Sequence, residues 1–219
     1  MRYFEAETLG FLRDLQRHND RAWFDQNKDR YARFVKEPLL EFIGDAGPEL
    51  RSISRTLVAD PRPVGGSMFR IYRDVRFSKD KRPYKTHAGA HFPSGGKDSP
   101  GPGYYFHLDP AACFVGGGVW KPEPDVLRQI RERIAARPAE WKKARGKLDA
   151  AEDPLKRPPR GFDPDDPMIE DIKRKSFTSS VPLTQAQVVG PNLMRTFIRG
   201  CERMAPMLRF LAASVGADW

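Results

Sequence analysis

Cationic and aromatic side chains concentrated in residues 70–85 are the part of the sequence best suited to chemistry. This stretch carries seven Lys or Arg residues against two Asp residues, whereas residues 1–50 carry eight basic and ten acidic side chains. Guanidinium and ammonium groups recognise phosphate, sulfate and carboxylate groups through charge-assisted hydrogen bonds. The chemistry predicted here is therefore the binding of a small anionic ligand.

The spacing within this stretch suggests how such a site is arranged. Residues 67–77 alternate between apolar and polar side chains, which predicts a strand with one polar face. Asp74 lies two residues from Arg76 on that face and can orient its guanidinium. The turn that follows adds further donors. The predicted ligand-binding residues are Arg70, Asp74, Arg76, Lys79, Lys81, Tyr84, Lys85 and Tyr105.

His107 is the candidate for acid–base chemistry. In the predicted strand 104–108, Tyr104 and Phe106 belong to the apolar face, so Tyr105 and His107 point the other way. An unperturbed imidazole titrates near neutral pH and can transfer protons. We therefore assign His107 as the candidate catalytic residue, while the sequence leaves open whether the protein is an enzyme.

The histidines were also considered as metal ligands. His87 and His91 share a face of the predicted strand 86–92, but side chains four residues apart on a strand are ~13 Å apart, too far for one ion. A site combining one of them with His107 and Asp109 requires pairing across strands. The sequence therefore predicts no metal site and no cofactor, and leaves that cross-strand combination open.

Secondary-structure periodicity predicts the scaffold that positions these residues. Apolar side chains recur at helical spacing in residues 1–57 and again in 123–215. Between them lie short alternating segments joined by turns, which favour an antiparallel meander. We expect an α+β protein with one domain, 1–219. Its antiparallel sheet is expected at about residues 67–120, with a further edge strand at 176–183.

Composition excludes several classes of protein. The net charge is +9, the pI is about 9.7 and 39% of residues are hydrophobic, which is enough for a core. Two cysteines do not make a disulfide scaffold, and no apolar run reaches the ~18 residues of a membrane span. We expect a soluble cytoplasmic protein without a membrane partner. Its oligomeric state is not determined by these features.

Positive charge keeps two other interpretations open. The basic strand, together with the Arg-rich region 128–145, could form a nucleic-acid or protein interaction surface. The same charge could also be a solvated surface without a ligand. A small anionic ligand remains the favoured partner, and a pocket that holds Arg70, Arg76 and His107 would distinguish it from a broad basic face.

Several long motifs resemble one known family. They are ETLGFLRDLQRHNDRAWFDQNKDRYARFVKEPL, FRIYRDVRFSKDKRPYKTH, PGYYFHL and GGGVWKPE. They closely resemble a bacterial and fungal family called domain of unknown function 2461, over roughly residues 4–211. The resemblance implies a compact single domain but no activity, so it transfers no catalytic residues. The family usually has two adjacent asparagines where this chain has His18 and Asn19, and a role of the first position is not carried over.

Overall fold

The computed structural model describes residues 1–96 and 99–219. Its helices are α1 (Ala6–Arg17), α2 (Arg21–Gln26), α3 (Lys28–Tyr31), α4 (Glu37–Ile53), α5 (Pro124–Ala136), α6 (Pro138–Ala144), α7 (Ile169–Ile172), α8 (Gln185–Val188) and α9 (Leu193–Ser214), with a π-helical turn at Ala32–Lys36. Its strands are β1 (Ala88–Pro93), β2 (Gly103–Leu108), β3 (Cys113–Val119) and β4 (Phe177–Leu183). Within the described residues, no helix is both long enough and apolar enough to cross a membrane.

The four strands form one antiparallel sheet in the order β1-β2-β3-β4. Gly89 pairs with His107, and His107 pairs with Phe114 on the next strand. The helices pack from both sequence flanks, so the predicted α+β class with an antiparallel sheet is confirmed. The edge strand expected at 176–183 is β4, which pairs with β3.

One face of the sheet carries the core. Phe106 is fully buried and packs against Phe42 of α4, with ring centroids 4.6 Å apart, and against Phe197 of α9 at 5.9 Å. Burying aromatic rings of this size removes a large apolar area from water and dominates the folding energy of a core. Helix α4 continues through Gly47 and Pro48, although an internal proline commonly breaks or kinks a helix.

Residues 67–85, hereafter the arm, differ from the continuous strand that alternation predicts. The arm forms only isolated bridges, Met68 to Ala90 and Tyr72 to Tyr84, and folds back on itself. Asp74 accepts a hydrogen bond from the backbone N–H of Arg76, and Asp80 accepts one from that of Arg82. Such local side-chain bonds compete with a strand ladder and favour turns.

Because of these turns, the apolar face predicted for the arm does not form. Ile71 is buried, but Phe77 is 95% exposed and Phe69 is 44% exposed. Alternation holds only where a strand is paired along its length, and here pairing stops after short contacts.

Candidate functional site

The sheet face opposite α4 and α9 is the candidate site and is called the open face. It is formed by alternate residues of the strands. Its members include two buried glycines, Gly89 and Gly116. They also include half-buried or exposed side chains, namely those of His91, Tyr105, His107, Phe114 and Ser180. The core-facing neighbours Tyr104 and Phe106 are fully buried, so alternation on β2 follows the prediction.

Aromatic rings connect the strands across this face. Phe69 of the arm lies 5.8 Å from Tyr105, measured between ring centroids. Tyr105 lies 5.8 Å from Phe114, and His107 stacks on Phe114 at 4.7 Å. The arm thus supplies one ring, and β2 and β3 supply the others. Together they form an amphipathic surface with aromatic bodies and polar tips.

A hydrogen bond fixes the orientation of His107. The hydroxyl of Tyr105 lies 2.8 Å from Nδ1 of His107, two residues along the same strand face. Gly89 of β1 makes room for this bond, because a Cβ there would lie 2.6 Å from the Tyr105 hydroxyl oxygen. A side chain at position 89 would therefore collide with Tyr105.

His87, His107 and Asp109 converge at one end of the open face. One ligand atom from each lies within 4.8 Å of the others, and all three side chains are half-buried. Asp109 Oδ1 accepts a hydrogen bond of 2.8 Å from the backbone N–H of Ala111. The cross-strand combination of histidines with Asp109 that the sequence left open is therefore brought together, with His87 rather than His91.

Burial changes the proton affinity of these groups. Desolvation, with a smaller effect from His87, lowers the pKa of His107 to about 4. Desolvation and the charge of Lys85 also lower the pKa of His87, and desolvation raises the pKa of Tyr105 to about 12. At neutral pH both imidazoles are uncharged and Tyr105 keeps its proton. At neutral pH His107 is thus an uncharged imidazole and a weaker base than the near-neutral group expected from an unperturbed imidazole.

One cation, Lys85, borders the aromatic rings, and Arg70 lies next to it. The Nζ of Lys85 donates a hydrogen bond of 2.8 Å to the backbone carbonyl of Arg70 and lies 5.4 Å from the centroid of the Phe69 ring. Desolvation and the charge of Arg70 lower the pKa of Lys85. Within residues 1–96 and 99–219, neither Arg70 nor Lys85 forms a salt bridge.

The remaining charged residues of the arm make no contact with the open face among the residues that the structure describes. Arg76 forms a salt bridge of 2.7 Å to Asp74. Lys81 donates to the backbone carbonyl of Val75 at 3.0 Å. Lys79 is exposed. In the described part of the chain, no hydrogen bond, ion pair or ring contact joins Arg76 to Tyr105 or His107.

Tyr84 belongs to a different surface. It is buried, and its ring stacks on Phe24 with centroids 4.1 Å apart. It lines a depression of about 260 Å³ together with Arg21, Asp25, Tyr72, Arg73, Val75 and Pro83. Of the nine predicted site residues, the structure brings Lys85, Tyr105 and His107 to the open face, with Arg70 next to Lys85. It places Tyr84 in this separate depression.

Sequence reasoning missed the contributions of Gly89 and Phe114. Both pair with His107 across the sheet, but no spacing along the chain links them to it. Only the strand register, which pairs Gly89 and Phe114 with His107, shows that these two residues lie beside it. Asn19 was also missed as an anchor: its side-chain amide donates to the backbone carbonyl of Tyr84 and accepts from the backbone N–H of Tyr84, both at 3.0 Å.

Comparisons with known proteins give a family without an activity. No curated protein and no solved structure matches the chain. A family model described as "Conserved hypothetical protein (DUF2461)" matches residues 7–210 of the 219, including the arm, all four strands and most of α9. The chain therefore belongs to the DUF2461 family, in agreement with the resemblance of its motifs.

Proposed function

We propose that the protein binds a small ligand bearing a phosphate, sulfate or carboxylate group on the open face of its sheet. The observation that carries this proposal is the pair of cations at its border. Arg73, Arg76 and Arg82 of the arm each form a salt bridge with an aspartate. In the described residues, Arg70, Lys79, Lys81 and Lys85 form none, and of these four Lys85 lies against the Phe69 ring and next to Arg70.

Two adjacent cations without a carboxylate favour an anion between them. Like charges at close range raise each other's energy, and an anionic group that accepts hydrogen bonds from both relieves that repulsion. Lys85 is partly buried, so its charge is less screened by water than that of a fully exposed lysine. The pair therefore supports recognition of the anionic group.

The surface beside the cations suits the rest of the ligand. The rings of Tyr105 and Phe114 are half-buried and lie against each other with centroids 5.8 Å apart, beside the buried backbone of Gly116. A planar or aromatic group can pack on the outer faces of these rings. His107 adjoins the same surface and is the candidate proton acceptor for a reaction of the bound molecule.

The test uses phenyl phosphate as the probe, measured by isothermal titration calorimetry in buffer containing EDTA. Arg70→Gln removes a charge-assisted hydrogen bond worth ~1.5 kcal/mol and is expected to weaken binding about tenfold. Arg76→Gln is the matched control, because Arg76 is already paired with Asp74 and is exposed. Equal losses in both variants, or no binding by the wild type, would contradict the proposal.

Nucleic-acid binding by the Arg-rich region 128–145 gains no support from the described contacts. Arg128 pairs with Glu132 and Arg133 with Glu140, each by a salt bridge. Arg131 is buried and donates to the backbone carbonyl of Arg174. Their charges are partly neutralised within the protein. We expect only weak, salt-sensitive duplex binding from the net charge of +9.

A further inference from the structure

We infer that His87, His107 and Asp109 form a binding site for a divalent transition-metal ion. A nitrogen of each imidazole and an oxygen of the carboxylate lie within 4.8 Å of one another. His87 immediately precedes β1, while His107 lies on β2 and Asp109 follows it. The antiparallel register, in which Ala88 faces Leu108, brings the three side chains to one end of the open face.

The donor set has a recognised chemistry. Two imidazoles and one carboxylate bind Zn²⁺ or Fe²⁺ in sites that leave coordination positions open for water or substrate. Ligand atoms ~2.1 Å from a tetrahedral ion lie roughly 3.4 Å apart. The three donors therefore need to approach one another by about 1.4 Å or less, a movement that side-chain rotation can supply. The half-burial of all three leaves a path for the ion from solvent.

Two of the three donors are held in place by further hydrogen bonds. Oδ1 of Asp109 accepts from the backbone N–H of Ala111, which leaves Oδ2 for an ion. Nδ1 of His107 is hydrogen-bonded to Tyr105. In the tautomer in which Nδ1 donates to the hydroxyl oxygen, Nε2 keeps a lone pair for an ion. Metal-binding histidines generally make such a bond through their second nitrogen, since it fixes the ring and the tautomer.

The rings of His87 and His107 pack on each other with centroids 4.8 Å apart, but polar interactions among the described residues do not account for the approach of the carboxylate. Over residues 1–96 and 99–219, no hydrogen bond or salt bridge joins any two members of the cluster, and Asp109 has no cationic partner within salt-bridge distance. A partly buried carboxylate without a cation is costly, and a metal ion supplies that charge. The inference does not rest on the proposed anion binding, because Arg70 and Lys85 donate no ligand to the metal.

The test is equilibrium dialysis of the full chain, stripped with EDTA, against Zn²⁺ in buffer free of phosphate. We expect one ion per chain. His87→Ala and Asp109→Asn should each weaken binding about a hundredfold. Asp109→Asn keeps an oxygen for the Ala111 N–H, so it preserves the turn. His91→Ala is the matched control, because His91 lies on the same face of β1 outside the cluster and should leave Zn²⁺ affinity unchanged. Circular dichroism verifies that each variant folds.

Substitution with Co²⁺ gives a second readout. Ligation by imidazole and carboxylate produces visible absorption, which should disappear in His87→Ala and persist in His91→Ala. Zn²⁺ binding that is equal in all four proteins, or absent from the wild type, would overturn the inference. Arg70→Gln should leave Zn²⁺ affinity unchanged, so failure of the metal site and failure of the anion site are distinguishable.

Discussion

The Tyr105 hydroxyl and Nδ1 of His107 lie 2.8 Å apart on the same face of β2. Residues two apart on a strand share a face, and this bond uses that geometry to hold an imidazole on an otherwise open surface. The bond connects the two proposals. Tyr105 borders the surface offered to the anionic ligand, and His107 belongs to the proposed metal site.

Replacing Tyr105 with Phe tests its role as a positioning residue. We expect Zn²⁺ affinity to fall about tenfold, because the His107 ring loses the partner of its second nitrogen. The aromatic ring and its contact with Phe114 remain, so the melting temperature should change little. Equilibrium dialysis and thermal denaturation measure the two quantities. A large drop in melting temperature with unchanged Zn²⁺ affinity would show that the hydroxyl has only a structural role.

Two glycines of β3 should behave differently when replaced by alanine. At Gly118, φ is +132° and a Cβ would collide with the backbone carbonyl oxygen of Phe177, so Gly118→Ala should destabilise the fold by about 2 kcal/mol. At Gly116 a Cβ meets only ordinary contacts, so Gly116→Ala should keep the wild-type melting temperature.

Replacing Phe114 with Leu should weaken phenyl phosphate binding, because it removes one of the two rings on which the ligand is proposed to pack. Calorimetry measures this effect. Undiminished binding by Phe114→Leu would place the ligand elsewhere.

Asn19 should be important for stability. Asn19→Ala leaves the backbone N–H and carbonyl of Tyr84, which is 4% exposed, without their partner. Unsatisfied buried groups cost ~1–3 kcal/mol each, so we expect a loss of about 2 kcal/mol and a melting temperature about 5 °C lower. His18→Asn is the control. His18 is exposed and stacks on Trp23, and its replacement should change stability by about 0.5 kcal/mol or less. Equal melting temperatures for the two variants would be evidence against the anchor.

Metal and anion should strengthen each other's binding. An ion held by His87, His107 and Asp109 would add positive charge beside Lys85, whose charge already acts on His87. An anion bound there offsets the repulsion between these cations, and thermodynamic linkage makes the effect reciprocal. We expect Zn²⁺ to raise phenyl phosphate affinity about tenfold in calorimetry. A decrease would show that the two compete for one position.

Apolar alternation predicted strand orientation correctly where the strand is paired with a neighbouring strand on each side, as β2 is with β1 and β3. On β2, Tyr104, Phe106 and Leu108 are buried while Tyr105 and His107 face outward, as their types require. In the arm, the same kind of alternation failed at Phe77, because Asp74 and Asp80 bind nearby backbone N–H groups and turn the chain. Alternation of apolar and polar residues does not by itself show whether a segment hydrogen-bonds to a neighbouring strand.

The candidate site was only partly accessible to sequence reasoning for a related reason. Residue type singled out His107, Tyr105 and Lys85, but their neighbours across the sheet depend on register. The convergence of His87 with Asp109 follows from the pairing of Ala88 with Leu108, which one sequence does not determine. The salt bridge of Arg76 to Asp74, at two-residue spacing, could be expected from the sequence, and the lack of one at Arg70 could not.

The most direct test of the central claim is a titration of isotope-labelled protein with phenyl phosphate, followed by amide chemical shifts in buffer with EDTA. Binding on the open face should give saturable shifts concentrated at Arg70, Lys85, Tyr105 and Gly116. The amides of Arg76 and Lys79 in the arm should move little. Saturable shifts centred on Tyr84 and its depression, or no saturable shifts at all, would contradict the account.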